Sequence, residues 1–315
     1  MSRILITGGT GFVGKHLIQF LKPQNSRIAV LASGATSTPE PDVDYYEVDI
    51  RDRDAVRSVV QTVEPDQIYH LAGITTIAAS WSDPQLTYEV NVWGASNLFR
   101  AAMSLPSPPR ILNVSTAQVY APSSHPLSED SLVGPDNPYA ASKAMAELLM
   151  VEYQRPQAGG IVTARAFNHT GPGQPPNFVL PSMARQFAKI EAGLQPTNLG
   201  VGNMEVKRDF IDVRDVVRAY SMLIDNGTPG EIYNVCSGST IRLSEIVQLF
   251  ESISGMEVNI ETEEGRVRCN DVMHICGDPN KIRNATGWRP QISLRETVAS
   301  LLDYWRLRIA SAPNT

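Results

Sequence analysis

The chain has 315 residues, 42% of them hydrophobic and 19% charged, a globular composition that excludes disorder and gives one large or two modest domains at roughly 150 residues each. Its 27 basic and 33 acidic side chains leave a net charge of −6, with 12 basic and 16 acidic groups in residues 1–165 and 15 and 17 in the remainder. Neither half carries the basic field that displaces counterions from nucleic-acid phosphates, and no stretch of about 18 apolar residues reads as a membrane span, so neither nucleic acid nor membrane is an expected partner. The opening residues, MSRILITGGTGFVG, reach glycines too early for the apolar core of a signal peptide. Cys236, Cys269 and Cys276 are too few and too odd for a disulfide scaffold and read as reduced thiols of a cytoplasmic protein. No metal site is expected.

Short apolar runs alternate with amphipathic stretches from the start. Arg3 to Thr7, Arg27 to Ala32, Gln67 to Ala72, Arg110 to Ser115 and Gly160 to Ala164 are too short for buried helices and read as parallel strands covered on both faces. Lys15 to Leu21, Arg53 to Val63, Gln85 to Ser104 and Tyr139 to Gln154 read as the helices between them. The alternation predicts an α/β, Rossmann-type, doubly wound parallel sheet. A loop from Ala121 to Pro138, with four prolines, runs into Tyr139 and is expected near the working site.

After Phe167 the rhythm changes. A Gly/Pro/Asn-rich loop, Asn168 to Asn177, leads to a helix over Pro181 to Gly193. A helix at Val213 to Asp225 and a strand at Glu231 to Val235 return to the main sheet, and Ser244 to Ser254 and Leu294 to Arg308 are further helices. The expected division is a dinucleotide-binding domain over 1–166 plus 209–237, and a smaller mixed α/β substrate-binding domain over 167–208 plus 238–315.

Thr7-Gly8-Gly9-Thr10-Gly11-Phe12-Val13-Gly14 follows a strand and opens a helix. Its glycines at 8, 11 and 14 allow a tight turn and a close approach to a pyrophosphate at the helix N-terminus. The second strand ends in Ala32-Ser33-Gly34, with neither the acid that selects NAD nor the arginine that selects NADP, so both cofactors stay open. Arg51, Arg53 and Lys15 read as solvated charges. Asp49, in Val48-Asp49-Ile50, either accepts from the adenine amine or is a surface-turn acid. Tyr139 and Lys143 lie four apart at the start of a helix and share a face. A fixed ammonium beside a phenol favours the phenolate, so Lys143 is expected to lower the pKa of Tyr139 and make it a usable acid/base. Ser115-Thr116 supplies a hydroxyl at a strand end.

With His70-Leu71-Ala72-Gly73, Asn91-Val92-Trp93-Gly94, Ser115-Thr116-Ala117-Gln118-Val119-Tyr120 and Tyr139-Ala140-Ala141-Ser142-Lys143, the chain resembles the extended short-chain dehydrogenase/reductase family of nucleotide-sugar enzymes. The resemblance implies that Thr116 hydrogen-bonds the reacting oxygen of the sugar, Tyr139 transfers the proton and Lys143 also holds the nicotinamide ribose. It further implies cofactor contacts from Gly8, Gly11, Phe12, Val13, Gly14, Asp49, Ile50, Leu71, Ala72, Gly73 and Asn91. On spacing alone, His70 is equally a core histidine and Asn91 a polar residue inside a helix. Phe167-Asn168-His169-Thr170-Gly171-Pro172-Gly173-Gln174, Asn177-Phe178-Val179, Lys207-Arg208-Asp209-Phe210 and Arg268-Cys269-Asn270-Asp271-Val272 resemble the branch of GDP-mannose 4,6-dehydratases and GDP-6-deoxy-4-ketohexose reductases. In that likeness Asn168 and Arg208 lie on the diphosphate side, Val179 belongs to the substrate set, Arg185 and Lys189 lie near guanine and phosphates, and Arg268 clamps phosphate. Guanidinium forks match phosphate oxygens. Cys269 stands where the branch has proline.

A dehydratase of this group needs an acidic base beside the catalytic threonine, where this chain has Ala117 and Gln118. A glutamine amide does not take a proton at neutral pH. The reading is therefore an NAD(P)H-dependent reduction of the C4 ketone of GDP-4-keto-6-deoxymannose to GDP-rhamnose or its C4 epimer; the resemblance also implies a homodimer that pairs through Gln85 to Ser104 and Tyr139 to Gln154, whose apolar pattern internal packing explains almost as well. The alternatives are a 4-epimerase with bound NAD, a dehydratase using Glu129 or Asp136, and a non-catalytic dinucleotide sensor.

Overall fold

A computed structural model describes residues 2–24, 26–34, 39–153, 159–263, 265 and 272–311. Seven parallel strands form the main sheet, in the spatial order Ile232–Val235, Gly160–Ala166, Arg110–Thr116, Gln67–His70, Arg3–Thr7, Arg27–Ala32 and Val43–Glu47. Strands buried on both faces carry near-continuous apolar runs, and every residue of Gly160–Ala166 is buried. Helices Phe12–Leu21 and Val213–Asn226 contribute to the core on one face through Leu17, Ile18, Val216 and Tyr220. On the other face Arg53–Val63, Gly94–Met103 and Pro138–Leu148 contribute Val56, Val60, Leu98, Phe99 and Ala146. The order reverses at Arg3–Thr7, whose neighbours are the second and fourth strands in sequence. In open α/β sheets such a switch point leaves a crevice at the carboxyl ends of the strands.

Three expected elements differ from the observed ones for local reasons. The strand at Gln67 stops at His70, before Ala72, because the next residues turn against the glycine loop. The long helix expected over Gln85 to Ser104 is Pro84–Tyr88, a π-helical turn Glu89–Trp93 and Gly94–Met103. The helix before Gln154 is interrupted at Leu149, giving Pro138–Leu148 and Met150–Tyr153, and Gln154 itself lies outside the described residues.

A separate apolar cluster lies among Val179–Glu191, Leu243–Ser254 and Leu294–Ala310, with Phe187 stacked on Phe250 at 5.1 Å. Beside it run strands of two to four residues that the sequence reading lacks. Lys207–Arg208 sits between Ile241–Arg242 and His274–Ile275, Asn198–Val201 pairs with Asn259–Thr262, and Asn168–Thr170 pairs with Phe210–Asp212. Runs this short carry no periodicity that separates them from loop.

Candidate active site

The carboxyl ends of the strands open into a cleft of about 2120 Å³, beyond the usual size of a single small-ligand pocket, roughly 300–1,000 Å³. Gly8, Gly11, Phe12, Val13, Gly14, Asp49, Ile50, Leu71, Ala72, Gly73, Thr116, Tyr139, Lys143, Asn168, Val179, Arg185, Lys189 and Arg208 all line it. Arg268 lies outside the described residues. Asn91 is buried behind the wall instead.

The glycine turn is a backbone cradle. Gly8 has φ +70°, and a Cβ there would stand 2.8 Å from the amide nitrogen of Ala72. A Cβ at Gly14 would stand 2.5 Å from the Cα of Gly9. Gly11 precedes the helix Phe12–Leu21 with no side-chain cap, so no side-chain oxygen occupies the first amides of that helix. This fits a dinucleotide pyrophosphate, which Gly11, Phe12 and Val13 would hold. Thr7 pairs with His70 across the strands. The Thr7 hydroxyl accepts from the Ala72 amide at 3.2 Å and lies 2.8 Å from Nδ1 of His70. Burial, with Lys143 nearby, pushes His70 down to about 3, so it is a neutral strut under the turn.

Asn91 fixes the opposite lip. Its carbonyl oxygen accepts from the Ile74 amide at 2.8 Å, and Nδ2 donates to the Ile74 carbonyl and to Ser142 Oγ. Ser142 in turn donates to the Tyr139 carbonyl at 2.7 Å. The π-helical turn thus aims Asn91 at both the loop and the helix that carries Tyr139, a use for which such turns are common at functional sites. The expected cofactor residue acts here by positioning its neighbours. Asp49 lines the cleft, but Arg51 holds its carboxylate at 2.6 Å and keeps it below the ordinary carboxylate range. Arg51 also reaches Glu89 at 3.1 Å, so it is a paired cation at the cleft wall that stays solvent-exposed, as expected.

Asn137 caps the helix Pro138–Leu148 by accepting from the Ala140 amide at 2.9 Å, with Pro138 pre-set in the first turn. That start fixes Tyr139 and Lys143 one turn apart. Lys143 Nζ donates to the Val114 carbonyl at 2.9 Å, and burial pushes it down to about 8 against the opposing pull of Glu147. Tyr139 departs from the sequence expectation. Burial raises its pKa and outweighs the hydrogen bond with Thr116, which works against that rise. The phenol keeps its proton at neutral pH, which suits an acid.

Behind the pair lies a buried network that the sequence reading did not contain. Glu147, one turn after Lys143, accepts from Arg165 in a bidentate pair at 3.0 and 2.7 Å and also from Ser115 Oγ. The Arg165 guanidinium lies over the Tyr120 ring at 4.6 Å. Both charged side chains are nearly fully buried. The pair ties the helix of Tyr139 to the strand Gly160–Ala166, and Ser115 extends the tie to the strand that ends in Thr116. An acid at Lys143 plus four was the available signal.

Gln118 stands on the cleft wall and Ala117 is buried. Glu129 does not line the cleft; its carboxylate accepts from the Asn234 amide at 2.7 Å. Asp136 does line it. On the far wall the Arg185 guanidinium lies 5.7 Å over Trp305, and Arg208 donates to the Lys207 carbonyl at 3.0 Å. His16 joins the two walls: its Nε2 meets the Pro172 carbonyl at 2.8 Å, while Phe12 stacks on His169 at 6.3 Å.

Residues 5–301 match the family model described as GDP-mannose 4,6 dehydratase. The chain is 34% identical to the GDP-6-deoxy-D-mannose reductase of Pseudomonas aeruginosa over 98% of both chains, and 33% identical to the GDP-6-deoxy-D-talose 4-dehydrogenase of Aggregatibacter actinomycetemcomitans over 90% of this chain and 91% of that one. Among solved structures, RMD from Pseudomonas aeruginosa complexed with NADPH superposes with a TM-score of 0.87 at 33% identity, covering 98% of this chain and 100% of that one. The UDP-glucose 4-epimerase of Thermus thermophilus in complex with NAD gives 0.84 at 28% identity, covering 96% and 99%. The cleft, the cradle and these likenesses together make the chain an NAD(P)-dependent nucleotide-sugar-modifying enzyme of the extended short-chain dehydrogenase/reductase class, a member of the GDP-mannose 4,6-dehydratase family.

Proposed function

We propose that the protein reduces the C4 ketone of GDP-4-keto-6-deoxymannose with NADH or NADPH, giving GDP-rhamnose or its C4 epimer. The observation that carries this reading is Gln118 on the cleft wall beside a Thr116, Tyr139 and Lys143 set. That wall has an acid for ketone reduction and an amide where elimination needs a carboxylate. The reduced nicotinamide supplies the hydride when bound. Thr116 orients the ketone oxygen, Tyr139 donates its proton to that oxygen, and the Lys143 ammonium stabilises the phenolate left behind. Hydride and proton together convert the ketone to an alcohol.

Asn168, Arg185, Lys189 and Arg208 line the same cleft and support a GDP-linked sugar, since cationic forks match phosphate oxygens. Arg268 completes that set in this reading. The cofactor belongs to residues 1–166 with 209–237, which hold the sheet and the cradle, and the sugar to 167–208 with 238–315. Trp93, Met145, Leu148 and Val151 are 49–74% exposed, which supports pairing of two copies through their helices.

The test is to mix the protein with GDP-4-keto-6-deoxymannose and NADH or NADPH. One equivalent of reduced cofactor is consumed per ketosugar, and the product carries a C4 hydroxyl. Interconversion of C4 epimers without net cofactor oxidation overturns the reductase reading in favour of a 4-epimerase. Formation of a 4-keto-6-deoxy sugar from GDP-mannose would instead make Asp136 the base of a dehydratase.

A further inference from the structure

Tyr220 is fully buried in the middle of the helix Val213–Asn226, yet it is among the residues that border the cleft. Its hydroxyl has no hydrogen-bond partner among the described residues. Arg283 Nε and Trp305 Nε1 are also unpaired, but neither residue lines the cleft. A buried phenol with an unmade bond is destabilising, and such an atom in a native core asks for the partner it was kept for.

The first turn of the helix is held at two points. Asp212 caps it, pairs with Arg214 and accepts from Thr297 Oγ1 at 2.9 Å. Asp215 accepts from the amides of Gln291 and Ile292, both at 2.9 Å. The helix packs on Phe12–Leu21, which opens from the glycine cradle, and on the strands that end in Thr116 and Ala166. Tyr220 thus lies on the dinucleotide side of the cleft. Burial raises its pKa, and the Tyr139 phenol adds to that rise. It therefore stays a neutral O–H donor.

We propose that the Tyr220 hydroxyl is a cofactor-binding group that donates a hydrogen bond to the carboxamide of the nicotinamide ring, the polar substituent at the reacting end of the dinucleotide. The inference rests on the reading of the cleft as a dinucleotide site. The bond orients the ring and selects the face it presents to the sugar. An apolar residue of the same shape leaves the packing intact and removes only this bond.

The experiment compares the unmodified chain with Tyr220→Phe, using calorimetric dissociation constants for NADH, NADPH and ADP-ribose, together with the Tm of each protein alone. Tyr220→Phe is expected to keep or raise Tm, because it removes an unpaired buried hydroxyl, and to leave ADP-ribose affinity unchanged. NADH and NADPH should each bind roughly three- to tenfold more weakly, the effect of one neutral hydrogen bond. Equal loss for ADP-ribose with a lowered Tm would mark the residue as structural and overturn the proposal, as would unchanged affinity for all three ligands. An unmodified chain that binds none of the three overturns the dinucleotide reading itself, a result separate from a failure of Tyr220 alone.

Discussion

At one end of the cleft the wall is backbone, with glycines packed against strand ends and buried polar groups bonded to one another; at the other it is side chains, with Arg185 on Trp305 and Arg208 on a two-residue strand. The first end recognises what every dinucleotide has in common, and its geometry follows from the sheet. The second, in the proposed reading, holds the sugar nucleotide, and its geometry depends on residues brought together from distant parts of the chain. Substitutions should therefore fail differently at the two ends: through chemistry and folding near the sheet, through substrate affinity alone beyond it.

Tyr139→Phe is the largest expected effect. Removing the proton donor should cut kcat by roughly 10²–10⁴-fold, the usual contribution of a positioned acid, while NADH and NADPH affinity stay nearly unchanged. Stopped-flow turnover beside equilibrium binding separates the two. Full activity in the variant would dismiss Tyr139 as the acid.

Glu147→Gln should act on the fold, since it leaves the buried Arg165 cation without its carboxylate. Breaking such a pair costs about 3–5 kcal/mol, whereas replacing both partners with apolar residues is often close to neutral. Urea denaturation of Glu147→Gln and of the double variant Glu147→Leu/Arg165→Met checks this. A single variant as stable as the parent would show that the network is dispensable for stability.

The same contrast governs what the sequence makes legible. The sheet was readable because its strands are apolar runs of regular spacing, and the cradle because its glycines follow one of them. Asn91 was visible as a motif residue, but its task was not, because a π-helical turn has no sequence period. Glu147 and Tyr220 were invisible as functional candidates: one looks like an exposed helix acid and the other like core until the tertiary fold shows what surrounds them. The downward shift expected for Tyr139 failed because it counted the lysine and not the burial. On the sugar side, a pattern of scattered cations gave residues but no geometry, and strands as short as Lys207–Arg208 escape any periodicity.

Arg208→Ala probes that sugar side. Loss of a charge-assisted contact to a diphosphate should raise KM for the ketosugar roughly tenfold or more, with kcat and NADH affinity little changed, since the contact is made equally in ground and transition states. A fall in kcat with KM unchanged would move Arg208 into the chemistry and weaken the division between the two ends.

The smallest effect is a pH limb, and its sign follows from Lys143. An ordinary lysine holds its proton to about 10.4, but burial brings Lys143 down to about 8. Below that pH the ammonium is present to stabilise the phenolate that Tyr139 becomes; above it the group is neutral. The ratio kcat/KM for reduction should therefore halve near pH 8 and then fall tenfold per further unit. Of the groups around Lys143, His70 is already neutral there and Tyr139 still holds its proton, so neither moves the limb. Glu147 opposes the shift, and in Glu147→Gln the Arg165 charge remains without it, so that variant's limb should move to lower pH. A limb that stays near 10 in the parent, or that does not move in the variant, would mean that the ammonium next to Tyr139 does not govern the proton transfer.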